Sequence, residues 1–234
     1  MFLALSYFSW FTLLMNSIQG VISMKFLLSL MRTLILSGMF FWLLGCTAIG
    51  NKTIDMMPVQ PGVPEIPESA RSDIKIKVYN FSDARQGMLD PHLIGKRTSL
   101  GVSLGHVYSE TPVFKTVTES VKSAFRSKGY SIVNENEDFS IKGKINQFWG
   151  KTPVNMMTCW DVVGEVNLTM ELSRPGQKVI TTLGPYNGRK VERTCSDPSP
   201  QMMMRVLTGA LEDAIQEMSS DPNLTNELSK KQNK

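Results

Sequence analysis

Apolar and polar residues first alternate regularly at Ile74, Ile76 and Val78, which are separated by Lys75 and Lys77. This two-residue period predicts a half-buried strand. The apolar face shifts at Tyr79 and Phe81, which predicts a bulge. A loop with Gly87, Pro91 and Gly95 follows, then a short strand over 100–107. Thr111-Pro112 predicts a helix start, with a capping hydroxyl and proline at the first helical position. Val113, Val117, Val121, Ala124 and Phe125 form one stripe at helical spacing, which Gly129 ends. A strand over 130–133 then passes through the polar run 134–138 into another, where Phe139, Ile141 and Ile145 alternate with Lys142 and Lys144.

The clearest strand sets Val162, Val166, Leu168, Met170 and Leu172 against Glu165, Asn167, Thr169 and Glu171. Pro175-Gly176 turns it back into 179–183 as an antiparallel hairpin. Ser199-Pro200 opens a second helix, striped by Met203, Leu207, Ala210, Leu211, Ala214 and Met218. Asp221-Pro222 breaks it, and 223–228 adds a short helical tail. This order predicts an α+β fold: one domain over 72–230, an antiparallel-rich β-sheet with two main helices packed on one face.

The chain before it differs in kind. Residues 1–45 contain no Asp or Glu and only two basic residues, Lys25 and Arg32. Those two precede an apolar stretch over 33–44, the pattern of a signal peptide. The stretch is shorter than the roughly 20 residues a spanning helix needs. Residues 1–23 form either a second membrane helix or, more simply, sequence upstream of a true start at Met24 or Met31. Leu43-Leu44-Gly45-Cys46 resembles the lipobox of bacterial lipoproteins. The resemblance implies cleavage before Cys46, acylation of its thiol, and membrane lipid as a partner through it. The alternative is an uncleaved anchor ending in an incidental cysteine. Thr47 stands where Asp would favour the inner membrane, so the resemblance points to the outer membrane, with the domain facing the periplasm. Residues 46–71, with Pro58, Pro61, Pro64 and Pro67, read as the lipidated cysteine and a flexible Pro-rich tether.

Charge and motifs narrow the chemistry. The net charge of +4 falls to +2 once Lys25 and Arg32 are set aside, which excludes an electrostatic nucleic-acid binder as the default. Trp149-Gly150-Lys151-Thr152 imitates the end of a phosphate-binding loop, yet the required glycine five residues earlier is Ile145, inside a strand. His92 and His106 have no cysteine or carboxylate at ligand spacing, so no metal and no cofactor are expected. No nucleophile elbow is present, and no catalytic residue is assigned. Met202-Met203-Met204 with Met156-Met157 suits core packing better than a copper surface, because consecutive helical residues point in different directions.

With Cys46 acylated, Cys159 and Cys195 remain, an even count for an oxidising compartment. The turn at Pro175-Gly176 lies near their midpoint, so antiparallel pairing places them opposite each other and predicts a disulfide rather than two free thiols. The one candidate site is the loop after the first strand. Asp83 and Arg85 share a face there, and Lys96 and Arg97 return beside Gly95. Their surplus positive charge suits an anionic headgroup, a glycan carboxylate or an acidic protein patch. The alternative is an Asp83 ion pair to Arg85 or Arg97 that only pins the loop.

Several stretches together resemble the YajG-like family of bacterial lipoproteins. They are the lipobox, Phe81-Ser82-Asp83-Ala84-Arg85, Ile94-Gly95-Lys96-Arg97, the helix ending in Gly129-Tyr130, the strand over 139–148, and the Ser-Ser-Asp-Pro break near the C-terminus. The resemblance covers the lipobox and roughly 72–230. It implies fold and location more than activity. The expected role is therefore non-catalytic: a lipid-anchored binding or envelope-support domain whose partner is an unknown envelope protein or anionic ligand. An accessory subunit of a transport or secretion assembly is the second reading, and a hydrolase of envelope polymers, for which no acid–base pair is visible, the third.

Overall fold

The computed structural model describes residues 50–60, 73–99, 102–156, 159–176 and 179–229. The expected signal sequence, Cys46 and the rest of the expected tether (47–49 and 61–71) lie outside the described residues. The folded unit runs from Gly50.

Its strands are β1 (Lys52–Ile54), β2 (Lys75–Val78), β3 (Ser82–Asp83), β4 (Leu93–Ser99) and β5 (Val102–Ser109), followed by helix α1 (Val113–Ser127). Then come β6 (Ser131–Ile132), β7 (Phe139–Lys151), β8 (Val154–Met156), β9 (Cys159–Ser173) and β10 (Val179–Thr194). Helices α2 (Pro200–Ser219) and α3 (Pro222–Ser229) close the domain. The fold is α+β, as the alternation of elements predicts.

β7 is the spine. One edge of it pairs antiparallel with β9 along nearly its whole length, and β9 pairs antiparallel with β10. The other edge carries three short parallel partners in succession: β2 at Phe139–Ile141, β3 at Lys144–Ile145 and β4 at Gly150–Lys151. β4 turns back antiparallel into β5, β1 lies parallel along β5, and β6 lies parallel along β2. The long ladders are thus antiparallel, as is the short β8–β9 pair, while the short partners of β7 and the β1–β5 and β2–β6 pairs are parallel.

The apolar face of this sheet builds the core with the helices. Ile141, Ile145, Phe148, Val162, Leu168 and Leu172 are buried in one cluster with Val117, Val121 and Phe125 of α1 and Met203, Leu207 and Leu211 of α2. Leu224 and Leu228 of α3 join it. The opposite face is polar: Lys144 pairs with Glu171 and Arg193 with Asp161, and Asn146, Asn167 and Asn187 form an amide ladder across three strands.

Two local expectations are corrected. Residues 50–60, assigned to the flexible tether, are folded. β1 is a strand, Ile54, Met56 and Val59 are buried, and the Val59 N–H donates to Ser120 Oγ of α1 (2.8 Å). Spaced apolar residues near a proline give no periodic signal, and the partner that orders them is an edge strand some 55 residues away. Gly95 belongs to β4 and not to a loop, so the strand expected over 100–107 is the second arm of a hairpin.

Of the two expected helix caps, Ser199 is found and Thr111 is not. Ser199 Oγ accepts from the Met202 N–H at the head of α2 (3.2 Å). At α1 the cap position is Pro112, with no side-chain bond from Thr111. The Val113 N–H donates instead to the Pro91 carbonyl (3.0 Å), a tertiary acceptor in place of a hydroxyl.

A row of glycines seats α2. Gly95, Gly150 and Gly164 are register partners across β4, β7 and β9, and Gly188 lies in the next strand. A Cβ at Gly164 or Gly188 would overlap the carbonyl oxygen of Val206 or Ala210, which belongs to the α2 backbone. A Cβ at Gly150 would meet only the flexible end of Met203. Gly188→Ala should therefore cost about 1–3 kcal/mol, the range for overpacking. Gly150→Ala should cost clearly less. Urea unfolding of the two variants checks this, and equal midpoints would show that the helix is not seated on its backbone.

Candidate functional site

The site is built around a gap in the sheet. Along the edge of β7, β3 ends at Ile145 and β4 begins to pair only at Gly150. Within that gap β7 carries a bulge, a register shift against β9 between Ile145 and Gln147. The Ala84 N–H donates to the Ile145 carbonyl (3.0 Å), after which the chain leaves the edge and Arg85 turns inward.

Arg85 fills the gap. Its Nε and Nη2 donate to the two carboxylate oxygens of Asp83 (2.8 and 2.7 Å). Its Nη1 donates to the Leu93 carbonyl (2.5 Å) and, less closely, to the Phe148 carbonyl (3.3 Å). The guanidinium thus joins β3, the start of β4 and β7 where no ladder does. The planar fork is what permits this, since a carboxylate and two carbonyls must be met in different directions. The Arg85 side chain is only 3% exposed and that of Asp83 20%. The hydrogen bonds from Arg85 hold the Asp83 carboxyl below its ordinary range, against a smaller opposing effect of burial.

The other two predicted residues do not join this pair. Arg97 is buried, and its Nη2 donates to the Gly50 carbonyl beside β1 (2.9 Å). Burial lowers its pKa, with Asp197 opposing. Lys96 is exposed, in register with Lys151 of β7. The structure therefore brings Asp83 and Arg85 together as a pin and leaves Lys96 and Arg97 apart.

Beside the pin lies an open depression of about 270 Å³. Gln86 and Met88 of the β3–β4 loop line one side, Asn146, Gln147 and Trp149 of β7 the other, and Arg85 also borders it. The bulge exposes both Asn146 and Gln147, because two consecutive residues face solvent where strict alternation would bury one. The sequence carries a trace of this: the apolar positions of β7 run through Ile141 and Ile145 and then change phase at Phe148. The Asn146 amide donates to Asn167 Oδ1 (2.8 Å) and the Gln147 amide to Glu165 Oε2 (2.7 Å), so the polar face braces the lining from behind. Leu89, at the tip of the same loop, is fully exposed.

The remaining motifs are structural. Gly150 and Lys151 lie in β7, and the buried Thr152 hydroxyl accepts from the Thr98 N–H (2.7 Å). His92 Nδ1 lies 2.8 Å from the Ser109 carbonyl. Met203 is fully buried, with Met202 and Met204 packed against the core. The Cys159–Cys195 disulfide is formed, at a Cα separation of 4.0 Å.

The fold resembles that of a Xanthomonas campestris protein of the DUF330 family, with a TM-score of 0.51 and 13% identity, over 79% of this chain and 99% of that one. A minor lipoprotein from Acinetobacter baumannii is more distantly similar, with a TM-score of 0.38 and 9% identity, over 67% of this chain and 95% of that one. No curated protein matches the chain in sequence. A family model described as uncharacterized lipoprotein matches residues 66–229. That match spans most of the folded unit and includes the Arg85 pin and both cysteines of the disulfide, so the chain belongs to this family of uncharacterized, YajG-like lipoproteins.

Proposed function

We propose that this lipoprotein is anchored by acyl chains on Cys46 in the outer membrane, faces the periplasm, and holds a ligand or partner at the depression beside Arg85 without transforming it. The observation that carries the reading is the chemistry of that depression. Its single ionised group, Arg85, is committed to Asp83 and two backbone carbonyls. What remains to meet a partner is three amides, a thioether and an indole. Such groups bind by hydrogen bonding and stacking, and they have no pKa suited to moving a proton near neutrality. The fully exposed Leu89 beside it favours the second reading, an accessory subunit of an envelope assembly, because burying that side chain against a protein would add apolar contact to the hydrogen bonds of the hollow.

A photoreactive residue at Gln86 of the full lipidated chain, illuminated in cells, tests both. Exposed Thr182, on β10, serves as the control. An adduct specific to position 86 is expected. A low-mass adduct supports ligand capture, and one recurrent envelope protein supports the accessory role. Labelling no stronger at 86 than at 182 overturns the site. Intact-mass analysis of the same protein checks the anchor, because acylation of Cys46 must appear as added mass and be absent from Cys46→Ser.

A further inference from the structure

The folded start of the domain at Gly50 leaves little chain between the domain and Cys46. Given acylation of Cys46, on which this inference rests, only Thr47, Ala48 and Ile49 separate the lipid-bearing residue from Gly50. Four fully extended residue steps reach at most about 14 Å. Gly50 cannot lengthen that reach by peeling away at no cost. Its N–H donates to the Leu104 carbonyl (2.8 Å) and its carbonyl accepts from buried Arg97 (2.9 Å), just before Lys52 pairs with Val107. A stalk as long as 46–71 would leave the domain free to turn. Three residues do not.

The direction of approach follows from the register. β1 runs parallel to β5, so the chain arriving at Gly50 comes from the side of Val102, where β5 begins. Val102 pairs with Ser99 where the two strands end and is 60% exposed, more than the exposed Val179 and Val191 of β10. Lys52, two residues after Gly50 on β1, is exposed and without an ion-pair partner among the described residues, which suits anionic headgroups. Asp197, the acid at this end, accepts from Ser99 Oγ (3.0 Å) and lies within electrostatic reach of Arg97. The Arg85 pin meets β4 at Leu93, the opposite end of a seven-residue strand, about 20 Å away at some 3.3 Å per residue.

We infer that the Ser99–Val102 end of β4 and β5 faces the lipid surface that holds Cys46, with Val102 at the headgroup boundary and the depression beside Arg85 turned away into the periplasm. Purified full-length lipidated protein in vesicles of phosphatidylethanolamine and phosphatidylglycerol tests this. A bimane fluorophore is placed on Val102→Cys or Leu89→Cys, and lipids carrying a doxyl quencher near the headgroup are added. Quenching should be several-fold stronger at 102 than at 89, and a flexible Gly-Ser insertion between Ile49 and Gly50 should reduce the difference. Equal quenching at the two positions, in protein that is acylated and floats with the vesicles, overturns the orientation alone. Protein that is unacylated and does not float overturns the anchor and the orientation with it.

Discussion

Removal of the Cys159–Cys195 disulfide is expected to lower stability by about 4 kcal/mol, the chain-entropy value for a closed loop of this size. The bond spans 36 residues of sequence. The β9–β10 ladder it closes is joined otherwise only by the Pro175-Gly176 turn at its far end. Thr194 pairs with Trp160 at the open end, so the two cysteines continue the ladder by one step. Without the bond that end frays, and with it the start of the segment that leads into α2. A loss of this size lowers the melting temperature of a domain this long by roughly 8–16 °C. Melting of the Cys159→Ser, Cys195→Ser double variant measures it. Exposed Cys195 makes the same test available in the natural chain by adding reductant. A melting temperature unchanged in both would show that the ladder holds without the bond.

Arg85→Ala is expected to cost about 3 kcal/mol, the lower end of the range for breaking a buried ion pair, since Asp83 keeps partial contact with water. The loss has two parts. The carboxylate of Asp83 is left without its partner, and the Leu93 and Phe148 carbonyls lose their donor in the gap between β3 and β4. Arg85→Lys should recover only part of this, because one ammonium cannot reach the carboxylate and both carbonyls together. Lys96→Ala, on an exposed residue, should be near neutral. The pair also sets an acid limit. Asp83 titrates below its ordinary value in the folded protein, so its contribution is present above the unfolded-state pKa of roughly 4. It is lost as pH falls through the lower folded value. Melting followed from neutral pH downward should show this loss in the natural protein and not in Arg85→Ala. If Arg85→Ala instead leaves the melting temperature unchanged while abolishing the position-86 adduct, the arginine is a binding group rather than a pin.

The residues that failed to converge are instructive. Charge and nearness in sequence group Asp83, Arg85, Lys96 and Arg97, and in the fold Asp83 and Arg85 meet while Arg97 reaches Gly50 instead. What separates the others is strand geometry: adjacent residues of a β-strand face opposite ways, so Lys96 and Arg97 could not both turn toward Arg85 once β4 was a strand. The depression itself rests on a bulge that puts Asn146 and Gln147 on the same side. A phase change in the apolar pattern marks that bulge but does not say what the loop from β3 brings next to it.

Elements whose order is local are legible in the chain alone. Strand alternation in β7 and β9, the stripes of α1 and α2, the Ser199 cap, the Pro175-Gly176 turn and, through that turn's midpoint, the disulfide all depend on residues near one another or on simple parity. It took long-range contacts to fold 50–60, to lay β2, β3 and β4 parallel along β7, and to close a gap in the sheet with Arg85. Each of these is made by partners dozens of residues apart. A short segment such as β1 has no period of its own to announce it, and it becomes a strand because the edge of β5 offers its backbone hydrogen bonds.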